Sequence, residues 1–402
     1  MENTVLNENA FLNVDTLNSF RKVINSSPIF SSHEKYKHRF NLICVFMDRI
    51  DSAIRYLNAH ADLPKTEEDF ITFLVFAAIL RDGINKLYEN IYHEKPPYVA
   101  EKKYFSNAMY YNKPYFTTDT CPTDDNFFEY LRAMAFAHPY EVSARGDTRP
   151  FITNGDIHYC PWVIIHSSLS AFQSMKDVVG IRVYSKKDED SITDITISFS
   201  ALKEYIKSRY STVAELTDWA KNGISEQEEK WKQIRINRNQ KSIDILREIT
   251  LVLRERFSNT STIETIIQFL ECPLTVQQNY ENTMKFREAI INDIPAVCDC
   301  VDNLDYDGIE QVLAHLFESP PIMHKMANYQ LEKIFTYLDQ RSDPIDPESN
   351  EYWGLLQAYE FSQEFAKKWV IIDVDHMSYD EIKLLVCVAC FMENQEQKGI
   401  IS

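Results

Sequence analysis

Apolar residues recur at helical spacing through most of this chain. In residues 34–60, Phe40, Ile43, Met47, Ile50, Ile54 and Leu57 fall at three- and four-residue steps, the stripe of an amphipathic helix. Asp62-Leu63-Pro64 breaks it. Thr66 and Asp69 have capping-box spacing and open a second helix over about 67–93, apolar through FITFLVFAAIL and so expected at the centre of a bundle. Pro96-Pro97 ends that helix. Residues 98–123 read as a long aromatic loop holding Tyr104, Phe105, Tyr110, Tyr111, Tyr115 and Phe116. Thr123 then caps a third helix, FFEYLRAMAFAH, which stops at Pro139.

The period switches after residue 156. IHYCPWVII, VVGIRVYS and ITDITISFS are β-rich, and the last two are joined by the turn KKDEDS. They predict a hairpin or a three-stranded antiparallel sheet. Helical pattern returns from residue 201, in segments near 201–221, 225–257, 261–271, 276–293, 306–318, 321–340, 349–368 and 378–392. Residues 1–33 are polar and weakly patterned. The expected fold is mainly α: a helical bundle over 1–222 with a small antiparallel β insertion at about 156–199, then an α-helical C-terminal domain over 223–402.

Composition removes several function classes. The chain has 8 glycines in 402 residues, and the closest pair, Gly146 and Gly155, lies nine positions apart. Dinucleotide and Walker phosphate loops need clustered glycines, so both are excluded. Net charge is −18, which argues against a protein that coats nucleic acid or an anionic membrane. The charge is uneven. Residues 301–402 hold 7 Lys/Arg against 19 Asp/Glu, while residues 230–256 hold 8 basic against 3 acidic. The eight cysteines are scattered and several sit in apolar runs, which reads as reduced thiols in a cytoplasmic protein. No leader pattern and no apolar run of membrane-spanning length is expected.

One pattern on the third helix carries chemistry. Arg132 and His138 are six residues apart, about 9 Å along a helix at 1.5 Å per residue. The histidine occupies the last turn, where backbone carbonyls favour its charged form. A titratable imidazole beside a fixed cation suits RNA cleavage. The ring moves a proton at the 2′-hydroxyl or the leaving oxygen, and the guanidinium holds the phosphate. Arg145 and Arg149, just downstream, are candidate phosphate contacts.

A long helix, a long apolar helix and then a helix bearing Arg-x(4–6)-His resembles the HEPN family, helical bundles of toxin, abortive-infection and other antiviral defence ribonucleases. The resemblance covers about residues 34–221. It implies metal-independent endoribonuclease activity at a cleft between two subunits, with Arg132 and His138 as the catalytic pair, RNA as substrate, a homodimer, and no metal or organic cofactor. Ala133 stands where the family usually carries a polar residue. A regulatory protein partner is a further expectation, drawn from the acidic tail. The competing reading is a non-enzymatic helical scaffold of a multi-component complex, and a third is an acidic mimic of nucleic acid.

Other signals have plainer readings. Arg55 and His60 repeat the motif at the end of the first helix. Arg81-Asp82 could orient His138 or form a surface ion pair. The aromatic loop could stack bases or pin itself to the bundle. The basic run 230–256 reads as a solvated helix. Arg145-Gly146-Asp147 is a coincidental tripeptide. Asn303–Gly308 lacks a calcium loop's final glutamate and reads as a helix cap. Cys298, Cys300, Cys387 and Cys390 read as buried thiols, and Asp373, Asp375 and His376 as a turn.

Overall fold

The structure is a computed structural model and describes residues 10–110, 113–145, 148–165, 177–188, 192–338 and 347–400. It is mainly helical, with thirteen α-helices and a small antiparallel sheet of seven strands among the described residues. No helix there is long and apolar enough to cross a membrane. The chain divides into two compact units, Met1–Ile224 and Ser225–Ser402.

In the first unit, α3 (Lys37–Ala59) packs against α4 (Glu67–Tyr92). The capping box of α4 is formed: Thr66 Oγ1 accepts from the Asp69 amide at 3.1 Å, and Asp69 Oδ2 accepts from the Thr66 amide at 3.1 Å. Phe70, Phe73, Leu74, Leu80, Ile84 and Leu87 of α4 are fully buried, so this is the central helix. Two further helices, α1 (Val14–Asn25) and α2 (Ile29–Ser32), lie in the segment whose pattern was weak. Few apolar positions suffice for α1, because Leu17, Phe20 and Ile24 all point inward, and Asn13 caps it.

The helix α5 (Asp124–Arg132) is capped by Thr123, whose hydroxyl accepts from the Asn126 amide at 3.3 Å. It then changes pitch. Ala133–Ala137 is a π turn closed by a 2.7 Å bond from the His138 amide to the Ala133 carbonyl.

The sheet is larger than the β-rich run predicts. Its order is β2 (Lys113–Pro114), β1 (Met109–Tyr110), β7 (Ile192–Ser198), β6 (Val178–Ser185), β4 (Ile157–Tyr159), β3 (Val142–Ser143), with β5 (Val163–Ile165) also on β6. Two of the extra strands come from the aromatic loop. Tyr111 of that loop lies outside the described residues, but Phe105 and Phe116 are buried, each against Phe127 at 5.2 and 5.3 Å between ring centroids. These aromatics pin the loop against α5. Gly180, on the central strand β6, faces Thr196 of β7. A Cβ there would lie 2.0 Å from the Ile195 carbonyl oxygen. Gly180→Ala is therefore expected to cost about 3 kcal/mol, the upper end for overpacking, read as a lower denaturant midpoint.

The helix α6 (Phe199–Lys232) runs unbroken through Asn222-Gly223, where a helix break was expected. Gly223 is there for packing. The Tyr36 hydroxyl sits 3.0 Å from where its Cβ would be. The break falls instead before α7 (Ser242–Glu255).

The second unit holds α7, α8 (Ser261–Glu271), α9 (Tyr280–Asp302), α10 (Tyr306–Phe317), α11 (Ala327–Tyr337), α12 (Pro347–Glu364) and α13 (Tyr379–Gln397). The apolar run of α13 is buried continuously from Ile382 to Met392. Asp305 caps α10 through the Gly308 amide at 2.9 Å. The basic run 230–256 is largely neutralised: Arg238 pairs with Asp299 and Asp302, Arg247 with Glu271, and Arg254 with Glu264. Arg256 is buried and donates to the Val301, Trp231 and Ile234 carbonyls, capping two helix ends.

Candidate functional site

Carboxylates at the start of α5 position it. Asp124 is buried and accepts from the Lys103, Tyr104 and Phe105 amides at 2.7, 2.9 and 3.0 Å, tying the aromatic segment to the helix. Asp125 Oδ1 accepts from the Tyr205 hydroxyl at 2.6 Å and from Arg209 Nε at 3.0 Å, both on α6. The N-terminal end of α5 is thus anchored on two sides.

At its C-terminal end, Arg132 is partly exposed and grips Glu129, one turn back. Its Nε donates to Glu129 Oε2 at 3.1 Å, and its Nη2 bonds Oε1. Glu129 also accepts from Arg81 Nη2 of α4 at 2.9 Å, and Arg81 Nε reaches Asp82 Oδ1 at 2.8 Å. Partial burial pushes the Glu129 carboxyl up, but its bonds to Arg132 and Arg81 outweigh this and hold it below the usual carboxylate value. Arg81 and Asp82 therefore act on Arg132 through Glu129. No hydrogen bond or ion pair links them to His138 among the described residues.

His138 closes the π turn with its backbone outside the helical region, at φ −145° and ψ 54°. Pro139 enforces that, because a residue before proline is driven out of the helical region. The imidazole is exposed, and no described residue hydrogen-bonds to it. No hydrogen bond joins it to Arg132 among the described residues. The segment thus presents an anchored guanidinium and an unoccupied imidazole six residues apart.

The downstream arginines separate. Arg145 is exposed. Arg149 is buried and donates through Nη1 to the Ser143 carbonyl at 3.1 Å, so it pins its own loop and offers no surface for a phosphate. Gly146 and Asp147 lie outside the described residues. The other motif match is occupied: His60 stacks on Tyr56 at 4.0 Å and bonds its carbonyl through Nδ1 at 2.9 Å, and Arg55 pairs with Asp51.

Sequence reasoning passed over a buried triad behind α5. The Tyr130 hydroxyl lies 2.9 Å from His158 Nδ1, and His158 Nε2 lies 3.5 Å from Asp156 Oδ2. Ser185 donates to the same Asp156 oxygen at 2.8 Å. Tyr130 is fully buried, so this is internal wiring. Burial holds the His158 imidazole below its usual value, against the opposing pull of Asp156. The folded state therefore keeps it neutral. Below the ordinary value of 6.5 the unfolded chain takes up a proton that the fold refuses, so stability falls as pH drops through that value. Denaturation midpoints between pH 7.5 and 5.5 check this. His158→Gln is expected to flatten that limb.

Two pockets matter. One of about 350 Å³ adjoins the π turn and is lined by Pro139, Tyr140, Tyr159, Trp162, Tyr184 and Glu67, among others. The other, about 430 Å³, is apolar and lies in the second unit between α10, α11 and α13. Two thiols line it, and burial pushes Cys390 up to about 12 and Cys387 well above its usual value, so neither is a ready nucleophile. His376 pairs with Asp373 at 2.9 Å in an exposed turn. Among the described residues, no three His, Cys, Asp or Glu side chains gather where they could hold a metal ion. No protein-family model, curated protein or solved structure matches the chain.

Proposed function

We propose that this protein is a HEPN-like endoribonuclease of a toxin or antiviral defence system, cutting RNA with Arg132 and His138. The observation that supports the reading is His138: an exposed imidazole, bonded to no described residue, held on a π turn six residues past a surface arginine. In this reading the first unit is the catalytic bundle with its β insertion. A second copy supplies another Arg132 and His138 to a shared groove. The acidic second unit binds a regulatory partner in the cytoplasm.

The imidazole takes the proton of a ribose 2′-hydroxyl, and the 2′-oxygen attacks the adjacent phosphorus. The P–O5′ bond breaks, and the leaving oxygen takes a proton from a protonated imidazole. Arg132 holds the non-bridging oxygens as negative charge develops on them. Glu129 keeps Arg132 in place, and Arg81 in turn holds Glu129. The products are a 2′,3′-cyclic phosphate and a 5′-hydroxyl.

The test is incubation of the purified full chain with RNA in a chelator. Cleavage with those two termini is expected, and none at a 2′-deoxy position. Cleavage of the 2′-deoxy substrate, or a strict need for divalent metal, would overturn the mechanism. The scaffold reading draws support from the pairing of Arg132 with Glu129 and of the 230–256 cations with their own unit. An intact RNA after incubation favours it.

A further inference from the structure

The pocket beside His138 has the makings of a base-recognition site. Tyr140, Trp162 and Tyr184, at 85%, 38% and 37% exposure, are large aromatic side chains left open around one cavity. Such exposed clusters mark binding surfaces. Trp162 is braced. The Arg182 guanidinium lies 4.7 Å from its ring, and Asp194 holds that guanidinium with two bonds at 2.6 and 2.7 Å. A braced indole loses little freedom when a second ring stacks on it.

Among the described lining residues the one charged side chain is Glu67, at the first position of α4. Among the described residues it has no hydrogen bond or ion pair. Burial pushes the Cys160 thiol, which lines the same pocket, up to about 12, and the Glu67 carboxylate adds to this. That carboxylate therefore acts on the cavity. It accepts and cannot donate, and it repels phosphate. The occupant must be planar, apolar on its faces and rich in donors on one edge. Guanine fits: N1–H and the 2-amino group are adjacent donors that match two carboxylate oxygens. Adenine, cytosine and uracil each present one donor beside an acceptor. The volume, about 350 Å³, falls within the range of small-ligand sites.

We infer that this pocket binds a single unstacked guanine of the RNA strand, stacked on Trp162 and read by Glu67. The choice of ligand rests on the RNA reading of the neighbouring segment. Ala135 and Pro139 line the pocket on either side of His138 in sequence. A base held there places its own phosphodiester beside the imidazole.

The test uses full-length protein carrying His138→Ala, which removes cleavage, titrated with each of the four ribonucleoside 5′-monophosphates by calorimetry. The guanine nucleotide is expected to bind at least tenfold tighter than the others. Glu67→Gln should erase that preference. Trp162→Ala should weaken binding of the guanine nucleotide roughly 5- to 100-fold, and Trp162→Phe should restore most of it. Near-UV circular dichroism confirms that each variant is folded. Equal binding of all four, no binding, or binding untouched by both variants overturns the inference. So does capture of an aromatic or proline-rich peptide that no nucleotide displaces. Cleavage fails independently: an inert wild type that still prefers guanine keeps the pocket and removes the nuclease, and an active wild type without preference does the reverse.

Discussion

Asp125→Ala is expected to cost the first unit about 3–5 kcal/mol, the loss that follows when a buried ion pair is broken on one side. Arg209 is completely buried, and Asp125 is its buried carboxylate partner. The guanidinium sits 4.3 Å from the Tyr98 ring and 4.5 Å from the Tyr205 ring. Its other carboxylate among the described residues, Glu101 at 3.1 Å, is 43% exposed and screened by water. The Tyr205 hydroxyl also loses its acceptor, because it donates to the same Asp125 oxygen. Asp125→Asn retains an acceptor at reduced charge and is expected to lose less. Urea unfolding followed by circular dichroism checks the order. Because two units need not unfold together, the quantity to read is the midpoint of the transition that moves. A midpoint unchanged in the alanine variant would show that this network contributes nothing.

Arg132→Ala is expected to slow single-turnover cleavage of RNA about 10²–10³-fold, the usual loss when one charge-stabilising donor is removed. Its effect on stability should be small. The Arg132–Glu129 pair is partly exposed and spans three residues of one helix, a geometry worth well under about 1 kcal/mol. Arg132→Lys is expected to recover part of the rate. It keeps the charge but loses the planar fork that bonds a carboxylate and a phosphate from different nitrogens. An alanine variant that cuts as fast as wild type would return Arg132 to a purely structural pairing.

The long apolar elements were legible. The box at Thr66 and Asp69 and the three- and four-step stripe of α3 both appear where the spacing puts them. What failed was tertiary. Gly223 reads as a break, yet it sits mid-helix because Tyr36 needs the room. Strands of two or three residues, such as β1, β2 and β3, carry too little alternation to register, and partners distant in the chain define them. The π turn is invisible in Ala-Met-Ala-Phe-Ala, which is ordinary helical sequence. Pro139 was its one signal. At the site, the exposure of His138 agrees with its place at a helix end before proline. The burial of Arg149 had no local sign. Arg132 and Glu129 stand at pairing distance along a helix, a spacing that the motif drew attention away from. The aromatic pocket joins Glu67, Tyr140, Trp162 and Tyr184 from four separate segments, so no window of sequence contains it.

The most direct measurement compares wild type, His138→Ala and His60→Ala on one RNA in the presence of a chelator. The two histidines satisfy the same short motif and both are exposed, but the His138 imidazole bonds to no described residue while His60 is stacked and hydrogen-bonded within its own helix. The expected result is equal cleavage by wild type and His60→Ala, and loss of about 10²–10⁴-fold in His138→Ala. Equal cleavage by all three, or loss in His60→Ala alone, would contradict the account.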